Sequence, residues 1–150
     1  MKIHICGIYG CGKSTLAKIL SKKLDISCYL LDDIKYKVKY TEIRSVEGGI
    51  EKVRDICKNS SWITEGIWTN YAKEAFKKSD IIIFMQTPKI ICCFRILKRF
   101  FLRKKEKGDT LIGALKLIKK VYKYHSKDET VSEKAHKEII NKYKKTTINN

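Results

Sequence analysis

The segment Gly7-Ile8-Tyr9-Gly10-Cys11-Gly12-Lys13-Ser14 constrains this chain more than any other part of its sequence. Its spacing, a glycine, four residues and then Gly-Lys-Ser, is that of the Walker A phosphate-binding loop. The context agrees, because the alternating, β-rich Lys2–Cys6 precedes the loop and Ser14–Lys23 follows with apolar residues at helical spacing. The sequence therefore predicts a strand, a glycine-rich turn and a helix that together bind phosphate groups.

Each residue type in this loop has a physical role in binding a nucleoside triphosphate, with ATP as the expected nucleotide. Glycines let the backbone curl so that its N–H groups point at phosphate oxygens, and the helix that starts near Lys13 adds its positive end. Lys13 is expected to reach the β- and γ-phosphates, Ser14 to place its hydroxyl on Mg²⁺, and Thr15 to contact the α-phosphate. The predicted nucleotide-binding residues of the loop are Gly7, Gly10, Cys11, Gly12, Lys13, Ser14 and Thr15.

Strand-like and helix-like segments alternate along the chain, which indicates an α/β fold with a parallel sheet. The run Ile81–Met85 is apolar throughout, as expected of a strand covered on both faces. A length of 150 residues without a linker or repeat favours one domain, residues 1–150. The predicted strands are Lys2–Cys6, Cys28–Leu31, Ser61–Thr64, Asp80–Gln86 and Lys145–Ile148; the predicted helices include Ser14–Lys23, Ile50–Cys57, Tyr71–Lys77, one opened by Pro88, Leu111–Tyr124 and Ser132–Tyr143, while Tyr36–Gly49 is polar and poorly periodic.

The net charge of +17 leaves two interpretations open. A charge this large suggests a polyanionic partner such as nucleic acid, but 28 lysines against five arginines also fit a bias in genome base composition. From Lys89 to Lys145 there are 18 Lys and Arg against six Asp and Glu. This basic third either binds nucleic acid nonspecifically or forms solvated helix faces, and the residues expected to turn outward from its helix Leu111–Tyr124 are Lys116, Lys119, Lys120 and Lys123.

The chain shows no signal-peptide pattern and no apolar run near the roughly 20 residues that cross a bilayer. Its six cysteines form no CxxC pair and no cluster with zinc spacing, which is typical of reduced thiols. We therefore expect a cytoplasmic protein with no membrane partner.

Charged residues stand where predicted strands end. Asp32 and Asp33 follow the second strand and Glu65 closes the third, at the edge where open α/β sheets bind ligands. A carboxylate there can hold Mg²⁺ through water or accept the proton of an acceptor hydroxyl; helix N-capping is the alternative for the two aspartates. Arg95 and Arg99 lie one turn apart on the helix after the fourth strand, and a guanidinium group binds phosphate bidentately.

Taken together, these motifs resemble the adenylate kinase-like small P-loop kinases, and among them the bacterial DNA topology modulation proteins. The likeness runs over residues 1–125 or so and includes Leu31-Asp32-Asp33, Trp62-Ile63-Thr64-Glu65-Gly66 and Arg95-x3-Arg99. It implies a three-layer P-loop fold of nucleoside-monophosphate-kinase type, with five parallel strands, flanking helices and a short Arg-rich lid. It also implies ATP and Mg²⁺ binding, an acceptor-binding segment at about 34–60 and a lid at about 95–110.

The resemblance further implies individual roles: Glu65 contacts the Mg²⁺ shell, Arg95 faces adenine and Arg99 clamps phosphates. Little sequence follows Lys145–Ile148, where the resembling kinases hold adenine, so loose adenine binding is expected. The predicted catalytic residues are Lys13, Asp33, Arg95 and Arg99, and the predicted Mg²⁺ ligands, partly through water, are Ser14, Asp32 and Glu65.

Three functions remain open from the sequence. The leading hypothesis is a kinase that transfers the γ-phosphoryl group of ATP to a nucleoside monophosphate or a small hydroxylated metabolite. A phosphate acceptor needs no general base, whereas a hydroxyl acceptor benefits from one, so a contact between Asp33 and the acceptor would favour a hydroxyl. The alternatives are a nucleotide-binding regulatory protein that contacts nucleic acid and an NTPase without an acceptor. The oligomeric state is left undetermined.

Overall fold

The computed structural model describes residues 1–38, 42–67, 69–102, 110–124, 131–143 and 146–149. Its strands are β1 (Lys2–Gly7), β2 (Cys28–Leu30), β3 (Tyr36–Val38), β4 (Glu42–Ile43), β5 (Trp62–Glu65), β6 (Ile81–Met85) and β7 (Thr146–Asn149). Its helices are α1 (Lys13–Leu24), α2 (Leu31–Lys35), α3 (Val46–Ile56), α4 (Thr69–Lys78), α5 (Lys89–Leu102), α6 (Leu111–Lys123) and α7 (Glu133–Tyr143).

Five of these strands form one parallel sheet, in the order β2-β5-β1-β6-β7. In the register of this sheet Ile5 lies opposite Glu65, and Gly7 lies opposite Met85. The carboxyl ends of β1, β5 and β6 therefore meet at one edge, which is where parallel sheets bind ligands. The predicted fold class is confirmed.

Two apolar cores cover the two faces of the sheet and make the fold three layers deep. Helices α1, α5 and α6 pack on one face, and α3, α4 and α7 pack on the other. The first core contains Ile3, Ile5, Ala17, Ile96 and Val121, and the second contains Cys6, Val53, Trp62, Phe76 and Ile140. Because both faces of the sheet are covered, the strand β6 is apolar at every position, as predicted.

The segment between β2 and β5 has more structure than its periodicity predicts. The strand β2 ends at Leu30 because Leu31 begins α2, and β3 and β4 then form a separate antiparallel pair. Helix α3 begins at Val46, four residues before the predicted Ile50, because the Ser45 hydroxyl caps it by accepting from the Gly48 N–H at 3.2 Å. Residues 39–41 of the predicted acceptor-binding segment lie outside the described residues.

The six cysteines are free thiols, as predicted, and four of them are buried. Burial raises the pKa of Cys57 and of Cys92 to about 11, so these thiols act as small apolar groups. Among the helices of the described part of the chain, none combines the length and the apolarity that a bilayer crossing needs.

Two histidines to which the sequence assigned no role are buried in the second core. The Nδ1 atom of His4 is hydrogen-bonded to Thr64 Oγ1 at 2.9 Å, and His136 Nδ1 donates to the Ser132 carbonyl oxygen at 2.9 Å. The Phe76 ring lies 4.3 Å from the His4 ring and 6.3 Å from the His136 ring, centroid to centroid. Burial lowers the pKa of His4 to about 3 and that of His136 to about 4.

We expect the free energy of unfolding to fall as the pH is lowered from about 6.5 towards about 4. The unfolded chain binds protons at both histidines below pH about 6.5, whereas the folded chain keeps them neutral, so protons favour unfolding. Each histidine contributes up to about 1.4 kcal/mol per pH unit. Urea unfolding at about pH 7 and about pH 5 measures this slope, and His136→Gln is expected to reduce it. Equal stability at both pH values would contradict the prediction.

Candidate active site

The loop Gly7–Ser14 connects the carboxyl end of β1 to the amino end of α1. Gly10 has a φ of +76°, and a Cβ atom there would lie 2.7 Å from the Cys92 carbonyl oxygen. Gly7 has a φ of +141°, and a Cβ atom there would collide with the Met85 carbonyl oxygen. Both glycines thus let the loop pack against β6 and α5, while left-handed Gly12 begins α1. The turn aims the positive end of α1 into the loop, which favours a bound anion.

The Lys13 side chain folds back across this loop instead of extending into solvent. Its Nζ atom donates to the Ile8 carbonyl oxygen at 2.8 Å and lies 3.8 Å from Cys11 Sγ. The residue is buried, although lysine is among the side chains least often found inside proteins. The loop therefore holds an ammonium group over the backbone that is built to receive phosphate, with Thr15 exposed beside it at the start of α1.

Ser14 and Glu65, which are 51 residues apart, are directly hydrogen-bonded: Ser14 Oγ donates to Glu65 Oε1 at 2.8 Å. Glu65 is 4% exposed, and burial raises the pKa of its carboxyl group, opposed by the charge of Lys13 and the hydrogen bond from Ser14. The predicted proximity of the loop hydroxyl and the end of β5 is thus present as a contact.

These oxygen donors fit a magnesium ion bound together with nucleotide phosphates. Mg²⁺ prefers hard oxygen ligands and usually combines one or two protein groups with phosphates and water. The Ser14 hydroxyl and the Glu65 carboxylate supply such a pair, and Asp32 and Asp33 lie close enough that their charges also raise the pKa of Glu65. In the described ranges no three His, Cys, Asp or Glu residues cluster closely enough to hold a metal ion by themselves.

The structure places Asp32 and Asp33 in the first turn of α2, directly after β2. Neither is an N-cap, because α2 already begins at Leu31. Both lie in the first turn of this short helix, where negative charge is favourable. Asp32 acts more strongly than Asp33 on the pKa of Glu65. Asp33 lines a cavity of about 350 Å³ along β2, together with Lys18 and Lys52.

Of the predicted arginines, Arg95 contacts the phosphate-binding loop. Its Nη1 atom donates to the Cys11 carbonyl oxygen at 2.8 Å across 84 residues of sequence, and it lies beside Gly12. Arg99 is exposed one turn further along α5. The predicted lid begins within α5, and its residues 103–109 lie outside the described part of the chain.

One lysine that the sequence did not assign to the site lies near the loop. Lys120, predicted to face outward from α6, has its Nζ atom 5.7 Å from the centroid of the Tyr9 ring in the loop. Burial and the charge of Lys120 together lower the pKa of Lys35 at the end of α2. No local pattern distinguishes Lys120 from Lys116 or Lys119, and all three are exposed on α6 as predicted.

No family model matches this chain. A shikimate kinase of Clostridium botulinum (strain Eklund 17B / Type B) is 30% identical to it, over 99% of this chain and 98% of that protein. A shikimate kinase of the Alaska E43 strain of the same species is 29% identical over the same shares of the two chains.

Two solved structures share the fold. A shikimate kinase from Acinetobacter baumannii, in complex with shikimate, superimposes with a TM-score of 0.57 at 13% identity, over 98% of this chain and 82% of that chain. A gluconokinase from Sinorhizobium meliloti superimposes with a TM-score of 0.56 at 8% identity, over 99% and 81%. At such low identities these structures show a common architecture alone, and the relatives of similar sequence carry the family assignment.

Proposed function

This chain belongs to the shikimate kinase family and is an ATP-dependent kinase, and we propose that it phosphorylates a hydroxyl group of a small hydroxylated metabolite. The observation that carries the proposal is the convergence of Lys13, the Ser14–Glu65 pair and Arg95 on one loop at the carboxyl edge of the sheet. Such a set of cations and oxygen ligands suits phosphoryl transfer, which depends on positioning and on charge stabilisation. The narrower resemblance to DNA topology modulation proteins stays a prediction.

In this proposal the loop residues hold ATP and the charged side chains oppose the negative charge of the transferring group. Lys13 swings from the Ile8 carbonyl oxygen to the β- and γ-phosphates, and Thr15 contacts the α-phosphate. Ser14 and Glu65, with Asp32 through water, would hold Mg²⁺, which neutralises phosphate charge when bound. Arg95 lies beside the nucleotide and Arg99 reaches the transferring phosphoryl group.

A hydroxyl acceptor is favoured by the carboxylates at the end of β2. Asp33 lines the cavity along β2 and is suited to accept the proton that a hydroxyl group releases on attack. Arg44, an arginine of the acceptor segment, is occupied by the fold itself, since its Nε atom donates to the Ile34 carbonyl oxygen at 3.1 Å. Lys18 and Lys52 line the same cavity and would attract an acceptor that also carries negative charge.

The experiment that tests this function is an acceptor screen with purified protein, ATP and Mg²⁺, which measures ADP release. Shikimate and gluconate represent hydroxylated acids, and nucleoside monophosphates represent phosphate acceptors. ADP release that depends on a hydroxylated compound, and that Asp33→Asn reduces, is the expected result. Release that depends on a nucleoside monophosphate alone would contradict it, and equal release without an acceptor would indicate a simple NTPase.

The two arginines are expected to differ in the kinetic constant that they control. Arg95→Ala removes a group that contacts the nucleotide loop, so we expect the KM for ATP to rise about tenfold with a smaller change in kcat. Arg99→Ala removes a charge that acts on the transferring phosphoryl group, so kcat should fall about 10²-fold. Lys98→Ala, an exposed cation on the same helix, is the control and should change neither. Identical changes in Arg95→Ala and Arg99→Ala would refute the division of roles.

A further inference from the structure

Helices α5 and α6 expose an unusual amount of apolar side chain. Six of their aliphatic and phenylalanine side chains are 54% to 79% exposed, and we call these six the α5–α6 apolar surface: Ile90, Phe94, Phe101, Leu102, Ile112 and Leu115. Helices α5 and α6 pack against each other. Single exposed apolar residues are common in proteins, whereas many of them on two neighbouring helices indicate an interaction site.

This surface is separate from the first core and from the phosphate-binding loop. On α5, Cys92 and Ile96 are buried in the first core, whereas Phe94 and Phe101 lie seven residues apart on the opposite face. Arg95, next to Phe94, turns towards the Cys11 carbonyl oxygen. A partner can therefore cover the surface without entering the phosphate-binding loop.

Within the described residues of the two helices that form this surface, all charges have one sign. Helices α5 and α6 carry four lysines or arginines each and neither contains an aspartate or a glutamate. Lys98, Lys116 and Lys119 are exposed beside the apolar residues, and Lys89 Nζ lies 5.9 Å from the centroid of the exposed Tyr122 ring where the two helices meet. The partner must therefore offer both an apolar phase and negative charge.

We propose that the α5–α6 apolar surface docks on an anionic lipid bilayer. Amphipathic helices bind a bilayer in this way when apolar side chains enter the headgroup region and flanking lysines contact anionic lipids. A second copy of this chain would bring two like-charged faces together in a protein with a net charge of +17. Nucleic acid would match the charge and leave the aliphatic side chains in water. This proposal departs from the expectation of no membrane partner, which rested on the lack of a bilayer-crossing run. Surface binding needs no spanning helix, and none is present in the described part of the chain.

Co-sedimentation of the full chain with lipid vesicles tests the charge requirement. We expect binding to vesicles of phosphatidylglycerol and phosphatidylcholine in equal parts, weaker binding at raised salt, and none to phosphatidylcholine alone. The double variant Lys116→Glu/Lys119→Glu should bind at least about tenfold more weakly. Lys73→Glu/Lys77→Glu on α4 makes the same change in net charge on the other face of the sheet and should bind as the unaltered chain does. Equal loss in the two double variants would overturn the proposal, because it would indicate general attraction of a basic protein.

A matched pair of apolar variants tests the second requirement. Ile90→Ser lies on the proposed surface and Ile19→Ser lies on the exposed side of α1, where Ile19 is 48% exposed. Only Ile90→Ser should weaken vesicle binding, by about tenfold, with thermal unfolding of both variants as a check on folding. Equal vesicle binding by the two variants would overturn the proposal. Lipid-free dimerisation that Ile90→Ser abolishes, or DNA binding with no vesicle binding, would also overturn it. None of these measurements depends on kinase activity, so their failure would leave the proposed kinase function untouched, and the acceptor screen tests that function separately.

Discussion

Replacing Lys13 by alanine is expected to reduce kcat by about 10²- to 10³-fold, which is among the largest effects of any single change in this chain. Lys13 supplies the ammonium group inside the phosphate-binding loop, where its Nζ atom is 2.8 Å from the Ile8 carbonyl oxygen. Negative charge on the γ-phosphoryl oxygens is largest during transfer, so a fixed cation beside them lowers the barrier more than it strengthens ATP binding. We therefore expect the loss to appear chiefly in kcat.

A control on the same helix separates this effect from a general loss of positive charge. Lys23 lies in the last turn of α1 and is exposed, so Lys23→Ala changes the net charge by the same amount away from the loop. Steady-state kinetics of ADP release, with ATP binding measured separately, should show normal activity for Lys23→Ala. If Lys13→Ala kept more than about a tenth of the activity, the loop lysine would not act in transfer as proposed.

The part of this molecule that local sequence predicts best is the central sheet. The strand at Ile81–Met85 is apolar at every position, and the loop pattern fixes the end of β1 and the start of α1. Strands β5 and β7 agree with prediction to within one residue at each end. In these segments the secondary-structure propensity, the burial pattern and the turn residues all favour the same structure. Such agreement allows the fold to be predicted from the sequence.

The segment from Leu31 to Ile56 was predicted less well, because its structure depends on contacts between distant residues. Gly49 permits α3 to approach α4, since a Cβ atom there would collide with the Tyr71 ring. The hairpin of β3 and β4 has only three and two residues, too few for a periodic signal. Helix α3 therefore extends into a stretch whose two glycines disfavour a helix by propensity.

The residues of the active site also fall into those that local sequence predicts and those that depend on tertiary packing. The loop and the carboxylates at the strand ends can be predicted from the sequence, because each follows directly after a predicted strand. The sequence predicted that Arg95 and the loop bind the same nucleotide. It did not predict that Arg95 donates a hydrogen bond to the Cys11 carbonyl oxygen. Lys120 was missed, because its distance of 5.7 Å from the Tyr9 ring depends on how α6 packs against the rest of the fold.

Replacing Glu65 by glutamine is the second change with a large expected effect, a fall in kcat of about 10²-fold with little change in folding. The glutamine carboxamide has the same shape, and its oxygen can still accept the hydrogen bond from Ser14 Oγ, which is 2.8 Å from Glu65 Oε1. Only the negative charge is lost, and burial already disfavours that charge, as the raised pKa of Glu65 indicates. The free energy of unfolding should therefore stay the same or rise while catalysis falls.

The dependence of activity on Mg²⁺ identifies what that charge does. If Glu65 supports the metal, the Mg²⁺ concentration for half-maximal activity should rise about tenfold in Glu65→Gln, because a neutral amide binds Mg²⁺ less well than a carboxylate does. Glu74→Gln makes the same substitution on α4, where Glu74 Oε2 lies 3.9 Å from Lys78 Nζ. This control should change neither kcat nor the Mg²⁺ concentration for half-maximal activity. A fall in kcat with an unchanged Mg²⁺ requirement would contradict the metal role, and it would assign to Glu65 the proton acceptance that we propose for Asp33. A carboxylate that is buried against the loop hydroxyl is better placed to hold a cation than to reach an acceptor in an open cavity, so we expect the first result.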